Sequence, residues 1–587
     1  MKKLIYNVIA IASAALLMSS CESFLDTKNL TQATTDNYPQ TADQAKQVVT
    51  GIYNPLSLWN ANPQMSFLYI SQLASDDCLG GGGENDKLMQ SEDLLMNNGT
   101  NMLLTFWTDT YKGVQRANTA IETLGKCTGY ASDDQKNQLL GEAYFLRAFY
   151  YYQLASLFEN IPLTTSSAAT ELPQSAPDAT WGQIISDLKQ AITLMPAKKF
   201  GSGWVESGHA DKWNAEAMMG RAFLFYTGFY NKTDVTLPDN SKVTKADVVT
   251  WIDDCVNNSG YSLVPDYRNL WAYTNRLTVN DYAWTKGKKG VDGKALKFVE
   301  DDNAVNPEAM FAIKFSKFAD WGTTIGYSNG YALHFGVRGA QDYAKTFPFG
   351  QGWGAGPVAP NLWSDWATAE PNDTIRRPGT ICNIPNELTN YTYGGWTDYV
   401  QETDYYAKKW APITAKTGNS ANPYSSFDAI MYSYTAQATN MQLWNIHDLV
   451  LMRFADVLLM QSELKGDVAG INKVRARAKL PAIATYSLAA LQNERRWELA
   501  CEGVRWNDIR RWHIAETALA AQTGQPVYYK GKAETNVTSH NGGGYAARYK
   551  ATNGFFPIPD TEISLSGGKF KQNAGWGTTA SEYAGWK

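Results

Sequence analysis

GEAYFLRAFYYY (141–152) and AEAMMGRAFLFY (215–226) share the pattern Glu-Ala-x-x-x-Arg-Ala-Phe-x-x-Tyr, and this match governs how the rest of the chain is read. The paired residues Glu142/Glu216, Ala143/Ala217, Arg147/Arg221, Ala148/Ala222, Phe149/Phe223 and Tyr152/Tyr226 are each 74 residues apart. That is close to twice the tetratricopeptide period of about 34 residues with loop insertions added. Small Ala residues let a neighbouring helix approach closely, and the aromatic side chains fill the gaps between helix pairs. Such a unit cannot bury its apolar face alone, so it predicts stacked helical hairpins. Glu142 and Arg147 are not partners on their own helix. Five residues turn the chain by about 500°, which leaves them about 140° apart. Arg147 and Arg221 are instead expected to tie adjacent helices together.

Working outward, helical periodicity predicts helices over about 41–59, 101–125, 132–158, 180–195, 211–230, 246–257, 449–464, 468–479 and 487–502. Thr41 with Gln44, Ser132 with Gln135 and Thr180 with Gln183 have the spacing of a capping box, in which hydroxyl and amide satisfy the first turn. The segment 258–447 reads differently. It is rich in Gly, Pro, Asn, Trp and Tyr, lacks long helical periodicity, and alternates only in short stretches such as AMFAIKF (309–315). It is expected to be one irregular insertion with a few short strands, folded on the helical scaffold. The predicted fold is therefore mainly α, a tetratricopeptide-like helical-hairpin scaffold carrying a large irregular insertion with short strands. Its organisation is a signal peptide (1–20), a lipidated tether (21–40), N-terminal helical repeats (41–257), the Trp-rich insertion (258–447), and C-terminal helices and tail (448–587).

The N-terminus predicts where the chain works. Lys2 and Lys3 precede an apolar run from Val8 to Met18, too short for the roughly 20 residues a membrane span needs. This is the form of a secretory signal. LLMSSC (16–21) resembles a lipoprotein signal in which Cys21 is acylated, so the membrane is held through lipid only. No later apolar run is long enough to span a bilayer. A net charge of −5 and a pI near 5.7 argue against a nucleic-acid partner. The five cysteines after Cys21 lie far apart with no C-x-x-C pair. They predict small buried residues and neither a disulfide framework nor a metal site.

No catalytic constellation is recognised. Gly326-Tyr327-Ser328-Asn329-Gly330 fits G-x-S-x-G, but the strand before and the helix after that a nucleophile elbow requires are not evident. The five His are scattered, without H-E-x-x-H. The tetraglycine Gly80 to Gly83 lacks the Lys-Ser/Thr of a phosphate loop and reads as a mobile surface loop, with Glu84, Asn85 and Asp86 as polar contacts. No cofactor is implied. Binding asks for less. A sugar ring offers an apolar face of C–H groups and a rim of hydroxyls, suited to a flat Trp or Tyr flanked by polar side chains. With 20 Trp and 33 Tyr in the chain, glycan capture is the expected activity.

Several stretches together resemble the SusD/RagB family of outer-membrane glycan-capturing lipoproteins, from Cys21 to about Ile563. They are CESFLD (21–26), LASDD (73–77), FWTDTYKGVQRANTAI (106–121), GEAYFLRAFYYYQLASLFENIPL (141–163), GWGAGPVAPNLWSDW (352–366) with Asp373, Ile375, Arg376 and Arg377 behind it, LMRFADVLLMQSEL (451–464), INKVRARAKL (471–480), ERRWELACEGVRWNDIRRW (494–512) and FFPIPDTEI (555–563). The resemblance implies four tetratricopeptide-like pairs docked on a TonB-dependent outer-membrane transporter. The chain would be its lid, facing the cell exterior and passing oligo- or polysaccharide inward. Relatives that take up peptides make peptide capture the alternative, and a surface hydrolase hidden in the insertion is a more distant one. In the family a loop after the position of LASDD contributes to the ligand surface. Here that loop (about 78–98) has no aromatic residue, a departure from the starch-binding pattern. Trp353, Trp366 and Arg376 match scaffold positions. Trp321, placed just after AMFAIKF, is the leading ligand-stacking candidate, followed by Trp271, Tyr273, Trp284 and Trp396, with Asp77 and Asn85 as polar contacts.

Overall fold

The computed structural model describes residues 38–61, 63, 66–99, 101–169, 172–202, 208–322, 325–339, 342–432 and 441–587. The signal peptide, Cys21 and most of the tether lie outside the described residues. Long helices run over α1 (Ala42–Ala61), α2 (Phe67–Leu73), α3 (Lys87–Leu94), α4 (Leu104–Thr123), α5 (Asp133–Phe158), α6 (Pro177–Leu194), α7 (Lys212–Phe229) and α8 (Lys245–Asn258). After the insertion come α9 (Phe454–Lys465), α10 (Ala469–Arg477), α11 (Leu488–Leu499) and α12 (Arg505–Arg511). They pack largely in chain order, α4 on α1 and α5, α6 on α5 and α7, and α8 on α7 and α9, which is the stacking of helical hairpins that the repeat predicts. Strands are short and occur as two-stranded pairs among the described residues.

The two repeat helices are interior. From Gly141 to Phe158, α5 is buried on nearly every side apart from Tyr144, so its apolar character is not confined to one stripe. Arg147 joins three helices, donating to Asp187 on α6 at 2.6 and 2.8 Å and to Asn118 on α4 at 2.8 Å. Its counterpart Arg221 pairs with Asp456 on α9 at 2.7 Å, and Asp456 also receives Arg495 at 2.7 Å. All five described cysteines are buried.

Three local expectations are corrected. Thr180 and Gln183 do not cap a helix. α6 begins at Pro177, whose fixed φ suits the first helical position, and Thr180 is already buried inside it. The run read as helix from 449 starts helically at Phe454, while Leu449–Arg453 forms a strand (here β2) paired antiparallel with Ala309–Ile313 (β1). A short, wholly buried apolar run carries no period that separates strand from helix. The tetraglycine is not a mobile surface loop. Gly80 to Gly83 are buried between 354–358 and 398–400, with Gly82 N–H donating to the Gly354 carbonyl at 2.9 Å and Val400 N–H to the Gly82 carbonyl at 2.8 Å. Gly81 (φ +70°) needs to be Gly, because a Cβ there would strike the Gly354 carbonyl oxygen.

A buried ion network fastens the insertion to the scaffold. Arg453 at the end of β2 contacts Glu308 (2.5 Å), Glu498 (3.0 Å) and Glu502 (2.7 Å). Arg477 on α10 reaches Glu308 at 2.6 Å and also Glu498. Arg376, from the insertion, pairs with Asp373, Glu494 and Glu498, and Lys409 pairs with Glu502. Burial alone would raise the Glu498 carboxyl, but Arg477, Arg453 and Arg376 outweigh it and hold the group well below the usual carboxylate range.

Candidate functional site

The chain leaves β1 into a loop closed by Ser316 N–H donating to the Tyr327 carbonyl (2.8 Å), with Lys314 pinned by Asp448 at 2.6 Å. Trp321 on this loop is 50% exposed, and Phe318 and Tyr327 are exposed beside it in the sequence. Three large apolar side chains exposed on one loop make it a candidate interaction surface. Trp321 lines the mouth of a cavity of about 280 Å³ whose other walls include Trp353, Leu333, His334, Gln442 and Leu443. Buried Asn60, near the end of α1, and Pro63 just after it also line the cavity.

Asn60 explains why the loop lies there. Its amide Nδ2 donates to the carbonyls of Gly326 (3.0 Å) and Ser328, and its Oδ1 accepts the Gly330 N–H at 2.8 Å. A Cβ at Gly326 would strike the Ser57 carbonyl, and one at Gly330 the Asn60 carbonyl. Both glycines of the G-x-S-x-G sequence therefore serve close packing on α1. Ser328 is buried and donates to the Asn445 carbonyl at 3.3 Å, so it is no exposed nucleophile. Beneath the cavity, the buried His334 ring sits 4.4 Å from the Trp353 ring, and burial pushes its pKa down to about 3. At neutral pH it is a neutral imidazole.

A second exposed indole stands on the neighbouring surface. Trp396 is 42% exposed and adopts the left-handed conformation (φ +50°, ψ 16°). For a bulky residue that is a genuine outlier, costing about 1–3 kcal/mol. Its ring lies 5.1 Å from the Arg338 guanidinium. Arg338 forks onto Asp398 (2.7 and 2.9 Å), reaches Asp86 at 2.9 Å and donates to the Trp353 carbonyl at 2.8 Å. The cavity wall and the Trp396 plate are thus joined through one arginine. From below, buried Glu402 accepts the Gly394 N–H (2.6 Å) and the Tyr391 hydroxyl (2.6 Å). To one side, the C-terminal hairpin Pro526–Tyr529/Lys532–Thr535 stacks Tyr528 on Tyr393 at 4.1 Å, both hydroxyls donating to Asp404.

Burial raises the Glu402 pKa to about 7, with the Tyr391 and Gly394 hydrogen bonds opposing the shift and Asp404 adding to it. A carboxyl held above its unfolded value of about 4.3 binds protons more tightly in the folded chain, so stability falls as pH rises between the two values. Chemical denaturation from pH 4.5 to 7.5 is expected to show that decline, and Glu402→Gln to flatten part of it. An unchanged slope in the variant would place the proton elsewhere.

The other sequence candidates are placed as follows. Asn85 is exposed beside Asp86. Trp271 is interior, edge-on to Trp410 with Lys409 at 5.0 Å from its ring. Tyr273 is fully buried and donates to the Gly379 carbonyl at 2.8 Å. Asp77 is buried and paired with Arg496 at 2.9 Å. These three leave no face for a ligand and are removed from the site. Trp284 is half-buried with two ammonium groups on its ring, Lys408 at 3.7 Å and Lys288 at 3.8 Å. Cations already occupy the π-surface a sugar would need, so Trp284 is removed as well. Phe318, Tyr327, Arg338 and Tyr393 were not singled out from sequence. The hairpin PVYYKGKAET (526–535) carried a readable signal, alternating residues around a two-residue turn with Gly. Among the described residues, no cluster of His, Cys, Asp and Glu is arranged to hold a metal ion. Among the described residues, no carboxylate lines the Trp321 cavity.

Known proteins are similar to this chain over most of its length. A family model described as SusD family matches residues 249–576, and one described as starch-binding associating with outer membrane matches residues 23–224. A SusD-like protein of Formosa agariphila is 22% identical over 526 residues, covering 84% of this chain and 88% of the relative. A SusD-like protein of Bacteroides ovatus is 22% identical over 521 residues, covering 86% and 82%. Among solved structures, a laminarin-binding SusD-like protein superposes with a TM-score of 0.65 at 22% identity, covering 92% of this chain and all of the other. Surface glycan-binding protein A from Bacteroides thetaiotaomicron, in complex with laminarihexaose, superposes at 0.63 and 19% identity, covering 91% of this chain and 100% of that one. At these identities the superpositions establish the fold.

Proposed function

The chain belongs to the SusD family, and from that premise we propose that it is a lipid-anchored, cell-surface glycan-binding protein. It would capture oligo- or polysaccharide outside the outer membrane and deliver it, as a lid, to a TonB-dependent transporter. The observation that carries the reading is the half-exposed Trp321 at the mouth of a cavity walled by Trp353 and the neutral His334. An indole there can stack on the C–H face of a pyranose while His334, Gln442 and main-chain groups meet its hydroxyls. Relatives with the same fold are named for laminarin binding or carry laminarihexaose. A partner is supported by a groove of about 800 Å³ between α4 and the 562–570 segment, lined by Tyr111, Lys112, Arg116 and Phe570, where Leu565 is 76% exposed. Anchoring would come from Cys21, at the end of the lipoprotein-like LLMSSC stretch.

The reading is tested by titrating the purified mature chain with a panel of neutral and acidic hexasaccharides and a panel of tryptic peptides, with chromatography of the glycans afterwards. Glycans are expected to bind and to be recovered intact. Binding of peptides alone would transfer the protein to peptide capture, and steady release of shorter sugars would make it a hydrolase.

A further inference from the structure

We propose that Trp396 is a second, separate sugar-stacking plate, specific for an uncharged pyranose, so that the glycan is held at two points. The inference rests on the glycan-binding reading and extends it to a subsite outside the Trp321 cavity. Four independent features converge on this indole. It is exposed where a core Trp would be covered. Its backbone is left-handed, a conformation that persists only where the surroundings impose it. Gly339 makes room for it, since a Cβ there would lie 2.8 Å from its ring, while Gly395 lets the turn that carries it lie against the Arg338 carbonyl. Finally, the Arg338 guanidinium lies 5.1 Å from the ring, and 42% of the residue stays in solvent.

The groups around the plate fix the ligand class. Asp86 and Asp398 both bond Arg338, yet about a third of each side chain stays exposed (34% and 32%), so each keeps acceptor capacity for a hydroxyl at the edge of a stacked ring. Two carboxylates on one guanidinium leave a net negative charge. Lys530 nearby in the hairpin is taken by Glu84 at 2.9 Å. A uronate or sulfate placed there would meet repulsion, whereas a neutral sugar with free hydroxyls would not. Pinning of the plate to the cavity wall through Arg338 and the Trp353 carbonyl holds the two subsites at a fixed spacing.

The test uses the full mature chain with Trp396→Gly and Trp321→Ala, titrated with laminarihexaose, maltohexaose, cellohexaose and hexagalacturonate. Gly favours the left-handed backbone that Trp396 occupies, so Trp396→Gly is expected to hold or raise the melting temperature. It is expected to weaken the best neutral hexasaccharide about tenfold, the worth of one aromatic stacking contact. Should that variant not fold, Trp396→Asn, which also tolerates the left-handed region, gives the same readout. Unchanged affinity in a folded Trp396 variant while Trp321→Ala loses binding would overturn the second plate and leave the glycan reading standing. Preference of the wild-type chain for hexagalacturonate would overturn the neutral specificity. Binding of none of the four sugars would overturn both.

Discussion

Glu498→Gln is expected to destabilise the chain by about 3–5 kcal/mol, the usual cost of removing one partner from a buried ion pair. Glu498 is fully buried and faces Arg453, Arg477 and Arg376 at once. An amide keeps the volume but not the charge, so three buried guanidiniums would share fewer carboxylates. Because Arg376 enters from the insertion and Arg477 from α10, the loss is expected to loosen the attachment of the ligand loops to the scaffold. Denaturant titration followed by Trp fluorescence reads the change. A loss below about 1 kcal/mol, the scale of an exposed pair, would mean that the network does not hold the two parts together.

Trp321→Ala is expected to do the opposite, leaving stability alone and removing affinity. The indole is half in solvent, and substitutions at such positions usually stay within about 0.5 kcal/mol. A Trp at the centre of a binding site is worth about 2 kcal/mol or more, roughly thirtyfold in affinity. Calorimetric titration of the variant with the best glycan of the panel, beside its melting curve, separates the two effects. Full affinity with an unchanged melting temperature would remove Trp321 from the site. A large drop in melting temperature would make it a packing residue.

What could be read from sequence follows from the strength of each physical signal. The repeat around Arg147 and Arg221 was legible because an interior helix pair needs the same residues at the same places, and both arginines do join neighbouring helices. The network was present in the family-like strings without being read as one. Glu494 and Glu498 are four residues apart on α11, the spacing that puts side chains on one helical face, and Glu502 follows just beyond its end. Their cations come from Arg376, Lys409, Arg453 and Arg477, which only tertiary folding brings together. The same limit governed the site. Trp321 could be nominated because it follows the strand-like AMFAIKF, but Trp271 and Trp284 look no different in sequence. What disqualifies them is burial in one case and two lysine ammonium groups in the other. Loop composition misled at Gly80 to Gly83, where glycine serves close main-chain packing and not mobility.

The most direct check of the central claim is a crystal structure of the mature chain soaked with the tightest-binding neutral hexasaccharide. The account predicts a pyranose ring lying flat against the Trp321 indole, with its hydroxyls directed to the cavity of Trp353 and His334. Sugar density bound elsewhere, with the Trp321 face still in solvent, would contradict it.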